Sequence, residues 1–158
     1  MKKFPLFHKI IATACGAGYF PWGPGTMGAL FAVAVWLPAF LFTSYVTWMA
    51  VTIGAIVVFT ILGVWSSNVA ERFWGEDPSR VVIDEVVGMW ITLLAVPDMA
   101  HWSSIVAAFV IFRFFDMVKP LGIRAMEKLK GGYGIMADDI LSGVYGAILI
   151  LIIRYFVQ

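Results

Sequence analysis

Charge is scarce in this chain. Only 13% of its 158 residues are Asp, Glu, Lys or Arg, where a water-soluble domain carries about a quarter. With 61% hydrophobic residues and a mean hydropathy of +0.91, it has too little polar surface to face water on all sides. Cysteine is single, Cys15, which excludes an internal disulfide. Six residues on stands Pro21, where a cysteine-phosphatase loop needs Arg. Histidine is limited to His8 and His101, expected on opposite membrane sides, so a histidine pair for nucleophilic catalysis is excluded. No Cys/His cluster suggests zinc, and no basic stripe suggests a nucleic-acid partner. The start, Met1 to Pro5, is basic but has no apolar region ending in small residues. It reads as mature protein rather than a signal peptide.

What is present is apolar sequence in five runs, about Met27–Phe42, Val46–Trp65, Val81–Val96, Trp102–Phe115 and Ile140–Val157. Strict apolar/polar alternation is absent, which excludes a closed β-barrel and leaves helices as the spanning structure. The expectation is an all-α integral membrane bundle, one domain over 1–158. It has about four to five membrane-embedded helices plus an N-terminal interfacial helix within Phe4–Tyr19. Gly54, Gly63, Gly88, Gly143 and Gly146 would let helices approach closely, and Gly143 and Gly146 share a face with Asp139. With alternating runs, Lys2, Lys3, Lys9, Arg72, Arg80, Arg113, Lys119, Arg124, Lys128 and Lys130 share one side. Arg154 alone falls opposite. The positive-inside rule makes the charged side cytoplasmic.

The same side collects nine of the ten carboxylates, all but Asp98. Three acidic islands stand out: Val81–Gly88 with Asp84 and Glu85, Arg113–Pro120 with Asp116, and Gly134–Gly143 with Asp138 and Asp139. Ionised groups beside membrane spans are costly and read as functional. Each island also has a plainer explanation. Arg113, Asp116 and Lys119 are spaced for salt bridges within one helix end that Pro120 terminates. Alternatively, Asp116 holds a cation while Arg113 and Lys119 hold an anion such as phosphate. Asp138 and Asp139 suit a helix cap, but two adjacent acids exceed that need. The same holds for Asp84 and Glu85. Asp77-Pro78 is a turn or a substrate contact in equal measure, and Asn68 is a candidate polar contact. Pro24, Gly25 and Thr26 open the first span, with Thr26 as a candidate helix cap. There the backbone N–H groups and the Thr26 hydroxyl could meet an anion, although the Gly-Lys-Ser/Thr ending of a nucleotide loop is missing. An acid-rich, histidine-poor inventory favours a hard cation, Mg²⁺ before Ca²⁺.

Four ordered segments carry a resemblance: Gly18–Leu30 (GYFPWGPGTMGAL), Val81–Leu93 (VVIDEVVGMWITL), Phe112–Ile123 (FRFFDMVKPLGI) and Gly131–Gly143 (GGYGIMADDILSG). The chain resembles the phosphatidylglycerophosphatase A family of bacterial membrane enzymes. That resemblance implies Mg²⁺-dependent dephosphorylation of phosphatidylglycerophosphate in the bacterial cytoplasmic (inner) membrane, with the site facing the cytoplasm. It points to Asp84, Glu85, Asp116, Asp138 and Asp139 around metal, to Asp84, Glu85 and Asp139 as catalytic, and to Pro24, Gly25, Thr26, Arg113 and Lys119 around phosphate. Glu85, where metal does not take it, is the candidate general base, and a route through an aspartyl-phosphate stays open. The chain departs from the family at Gly122, often proline, at Gly23, usually Ala or Val, and at Ala29, commonly Ser. A cation carrier or channel is the rival reading, and it requires charges deep in the bilayer and on both sides. A homo-oligomer is compatible with either.

Overall fold

A computed structural model describes residues 4–97 and 102–157; the expectations for Lys2, Lys3, Asp98 and His101 lie outside them. Seven α-helices are present, with no strand among the described residues. They are α1 Leu6–Ala12, α2 Pro24–Phe42, α3 Tyr45–Trp74, α4 Ile83–Leu93, α5 Trp102–Val118, α6 Ile123–Met126 and α7 Gly132–Val157, and a 3₁₀ turn at Ala17–Tyr19 follows α1.

Local chemistry sets most boundaries. Gly23, at φ 104, turns the chain into α2, and Pro24 occupies the first helical position, where its missing N–H costs nothing. Only Thr43 and Ser44 separate α2 from α3, and the Ser44 hydroxyl accepts the Thr47 N–H at 3.3 Å. Such a short link makes the two helices antiparallel neighbours. Gly75 closes α3 at φ 95.

Three helices are long and apolar enough to cross a membrane: Pro24–Phe42, Tyr45–Trp74 and Gly132–Phe156. The run Val81–Val96 behaves otherwise than its composition suggested. It forms an 11-residue helix of about 16 Å, too short for a hydrocarbon core of about 30 Å. Successive turn bonds at Leu94, Ala95 and Val96 end it. The up-and-down order nevertheless survives, because Arg154 near the end of α7 donates to the Ala95 carbonyl at 2.9 Å. Arg154 thus lies at the end of the bundle opposite the starts of α2, α4 and α7.

Helix α4 is the centre of the molecule. Val86, Val87, Met89 and Leu93 are buried, with Phe112 of α5 and Met136 of α7 packed into the same core. In lipid, apolar burial gives little net attraction between helices, so close backbone approach carries the association. A Cβ on Gly28 would fall 2.8 Å from Val82 Cβ, and one on Gly63 would fall 2.6 Å from Met136 Sδ. Gly54 departs from this pattern, with no neighbour within 4 Å. Helix α1 lies against the last turns of α3. His8 Nδ1 is 3.1 Å from Ser66 Oγ, Phe4 stacks on Phe73, and Leu6 and Phe7 stay exposed. Its end is tied to α4 by the Val82 N–H, which donates to the Ala12 carbonyl at 2.8 Å.

Candidate active site

All nine carboxylates among the described residues line one cavity of about 350 Å³. Glu71 comes from α3, Glu76 and Asp77 from the loop after it, and Asp84 and Glu85 from the first turn of α4. Asp116 comes from α5, Glu127 from the end of α6, and Asp138 and Asp139 from α7. Arg113 and Lys119 are the cations in this wall. No described carboxylate lies at the Arg154 end, so the carrier reading gains no support from their placement.

The plainer explanations can now be weighed. Helix α7 begins at Gly132, which puts Asp138 and Asp139 in its second turn, beyond reach of the capping role. Asp84 and Glu85 both sit in the first turn of α4, and the cap position belongs to Val82 without a side-chain bond. Of the expected salt bridges, Arg113 does pair with Asp116. Lys119 turns away from Asp116. The chain leaves the helix after Val118, and Lys119 at φ 49 aims its ammonium at Asp138, 2.5 Å away, and at Glu127, 2.7 Å away. Burial alone would lower the Lys119 pKa, but these two carboxylates outweigh it and hold the ammonium above its usual range, so it stays charged throughout the physiological range.

With Asp116 and Asp138 matched to cations, Asp84, Glu85 and Asp139 remain. One carboxylate oxygen from each lies within 4.8 Å of the others, and Asp84 Oδ1 and Glu85 Oε2 are buried without a hydrogen-bond partner. Like charges at that range repel by roughly 3 kcal/mol per pair at an effective dielectric of about 20. A cation or protons must offset this. An all-oxygen donor set with orphaned buried carboxylate atoms suits a hard divalent ion such as Mg²⁺.

Beside this trio the cavity wall is made by the N-terminus of α2. Pro24 and Gly25 line it, and the positive end of the helix dipole favours an anion there. Gly25 is required for space: a Cβ would collide with Glu85 Oε1 and stand 3.1 Å from Arg113 Nη1. Arg113 Nε is buried without a partner, leaving an unused donor beside the carboxylates.

Two expected contacts sit elsewhere. Thr26 is the third residue of α2 rather than its cap, which is Gly23, and Thr26 is not among the cavity-lining residues. Asn68 is also outside the lining. Its Oδ1 accepts the Gly132 N–H at 3.0 Å and its amide donates to the Val64 carbonyl at 2.8 Å, so it caps α7 from α3. Asp77 lines the cavity at φ 45, its N–H 3.4 Å from Glu71 Oε1. Glu127 was not singled out from the sequence, where it sits among the basic residues of an ordinary solvated stretch, Arg124 to Lys130. Nor were Glu71 and Glu76.

The family model of phosphatidylglycerophosphatase A matches residues 10–154. A protein of Bacteroides thetaiotaomicron, named provisionally as a phosphatidylinositol-3-phosphatase, is 48% identical over 158 residues, spanning 99% of each chain. Phosphatidylglycerophosphatase A of Escherichia coli K12 is 39% identical over 140 residues, covering 87% of this chain and 78% of that one. The Haemophilus influenzae protein of the same name is 34% identical over 164 residues, covering 99% and 95%. No solved structure matches.

Proposed function

The chain belongs to the phosphatidylglycerophosphatase A family, and from that membership we propose that this phosphatase hydrolyses the terminal phosphate of phosphatidylglycerophosphate, with Mg²⁺, at the cytoplasmic face of a bacterial inner membrane. The observation that carries the chemistry is the junction of Asp84, Glu85 and Asp139 in one pocket beside Arg113. The excess of Lys and Arg on the cavity side supports the orientation.

Each residue then has a task. Arg113, with Nε unused and Nη1 on Asp116, meets two phosphate oxygens as a planar donor. The α2 N-terminus adds the Gly25 N–H to the same anion. Lys119, held by Asp138 and Glu127, supplies a fixed positive charge at the mouth. Such positioning and charge neutralisation account for most of phosphoryl-transfer catalysis. Glu85, whose Oε2 is unpartnered, takes the proton of the attacking water on the carboxylate oxygen not turned to the metal. Asp84 and Asp139, with Glu85, would hold Mg²⁺, which when bound neutralises phosphate charge and acidifies water. The acyl chains stay among the lipids.

A second reading, phosphatidylinositol 3-phosphate as substrate, is favoured by the printed name of the 48% identical relative. Both lipids present a phosphomonoester on a polyol. Phosphate release by purified protein in mixed micelles separates them. The expected result is faster turnover of phosphatidylglycerophosphate, abolished by EDTA and restored by Mg²⁺. Preference for the inositol lipid would install the second reading, and undiminished rates in EDTA would reject the metal.

A further inference from the structure

The most extensive helix contact in the described chain is that of α4 with α7, two helices that run parallel and both begin at the cavity. Gly88 and Gly143 meet there backbone to backbone. A Cβ on Gly143 would collide with the Gly88 carbonyl oxygen and stand 3.0 Å from Gly88 Cα. A Cβ on Gly88 would stand 2.5 Å from the Asp139 carbonyl oxygen and 2.6 Å from the Phe112 ring. Thr92 is fully buried and holds its hydroxyl 3.2 Å from the carbonyls of both Gly88 and Gly143, one on each helix.

The register of this crossing matters for the carboxylates. Asp84 lies four residues before Gly88, and Asp139 lies four before Gly143. Four residues is about one helical turn on the same face. One turn from the contact toward the cavity, Asp84 and Asp139 therefore come together, an oxygen of each within 4.8 Å of the other. Magnesium demands near-ideal octahedral geometry at about 2.0–2.1 Å, whereas calcium accepts about 2.3–2.6 Å with looser arrangement. Any side chain at Gly88 or Gly143 must push the helices apart and widen the gap between Asp84 and Asp139.

We propose that Gly88, Gly143 and Thr92 are positioning residues that set the Asp84–Asp139 spacing to the size of a small divalent cation. This rests on the reading of the carboxylate trio as a metal pocket. The test uses the full chain in detergent and Mn²⁺ alone as probe, followed by electron paramagnetic resonance, with Mg²⁺ and Ca²⁺ as competitors. Gly143→Ala is expected to lower Mn²⁺ affinity at least tenfold and to raise the potency of Ca²⁺ relative to Mg²⁺ as competitor. Gly54→Ala, in open space, is expected to match wild type. Where Gly143→Ala does not fold, Thr92→Val decides: a Mn²⁺ affinity at least threefold lower, restored by Thr92→Ser, supports the proposal. A merely structural role would lower the melting temperature and leave affinity and ion preference unmoved. Folded Gly143→Ala or Thr92→Val protein with wild-type Mn²⁺ affinity overturns the inference while leaving the metal pocket intact. Wild-type protein that binds no Mn²⁺ overturns both.

Discussion

At the end of the bundle holding Arg154, α2 passes to α3 through Thr43 and Ser44 with ordinary backbone angles, while at the cavity end every link carries at least one residue at positive φ. Five residues other than glycine, Ala14, Cys15, Asp77, Lys119 and Leu121, have positive φ, and so do the glycines Gly16, Gly23, Gly75, Gly122 and Gly131. Among the described residues, all ten lie in links on the cavity side. Left-handed non-glycine residues cost of order 1–3 kcal/mol each where strained, and they persist where surrounding structure enforces them. The reason is visible at Lys119: the turn that strains it also carries its ammonium to Asp138 and Glu127. The Arg154 end is organised for stability and the cavity end for placing charge.

Substitutions can break that contrast or sharpen it. Asp139→Asn should have the largest effect, lowering kcat on the order of 10³-fold, about 4 kcal/mol, with the melting temperature retained or raised because a like charge is removed. Phosphate release and thermal unfolding on one preparation check both halves. Arg113→Lys should be milder, costing roughly 10–10²-fold in kcat/KM, since the charge survives while the planar fork is lost. Steady-state kinetics at saturating Mg²⁺ reads this. Smallest is a matched pair, Asn68→Ala at the cavity end and Ser44→Ala at the other. Each removes a helix cap, so each should cost about 1 kcal/mol of stability and change kcat less than about twofold. A large kcat loss in Asn68→Ala alone would return that residue to the substrate.

Composition and the absence of apolar/polar alternation together made the helical membrane architecture legible, because helices and closed barrels are the only ways to satisfy a backbone in lipid. The acidic islands were legible as well, since paired carboxylates in apolar runs have no cheap structural excuse. Helix α4 is shorter than the apolar run that contains it. Hydropathy registers that Val81–Val96 is buried but cannot distinguish burial in lipid from burial among other helices. The partners of Lys119 and Asn68 were hidden for a related reason. Spacing along one helix offers Asp116 as the plain partner of Lys119, whereas the turn at Pro120 directs its ammonium to Asp138 of α7, nineteen residues on. Asn68 is spent on the N–H of Gly132, a partner 64 positions away. Gly122, which departs from the family's frequent proline, sits at φ 87, a conformation closed to proline. The departure therefore belongs with the local turn.

Anomalous diffraction from crystals grown with Mn²⁺ would test the site most directly. One strong peak bounded by oxygens of Asp84, Glu85 and Asp139, lost in Asp139→Asn, is the result expected. A fully active preparation whose only manganese lies elsewhere, with those three side chains contacting no ion, would contradict it.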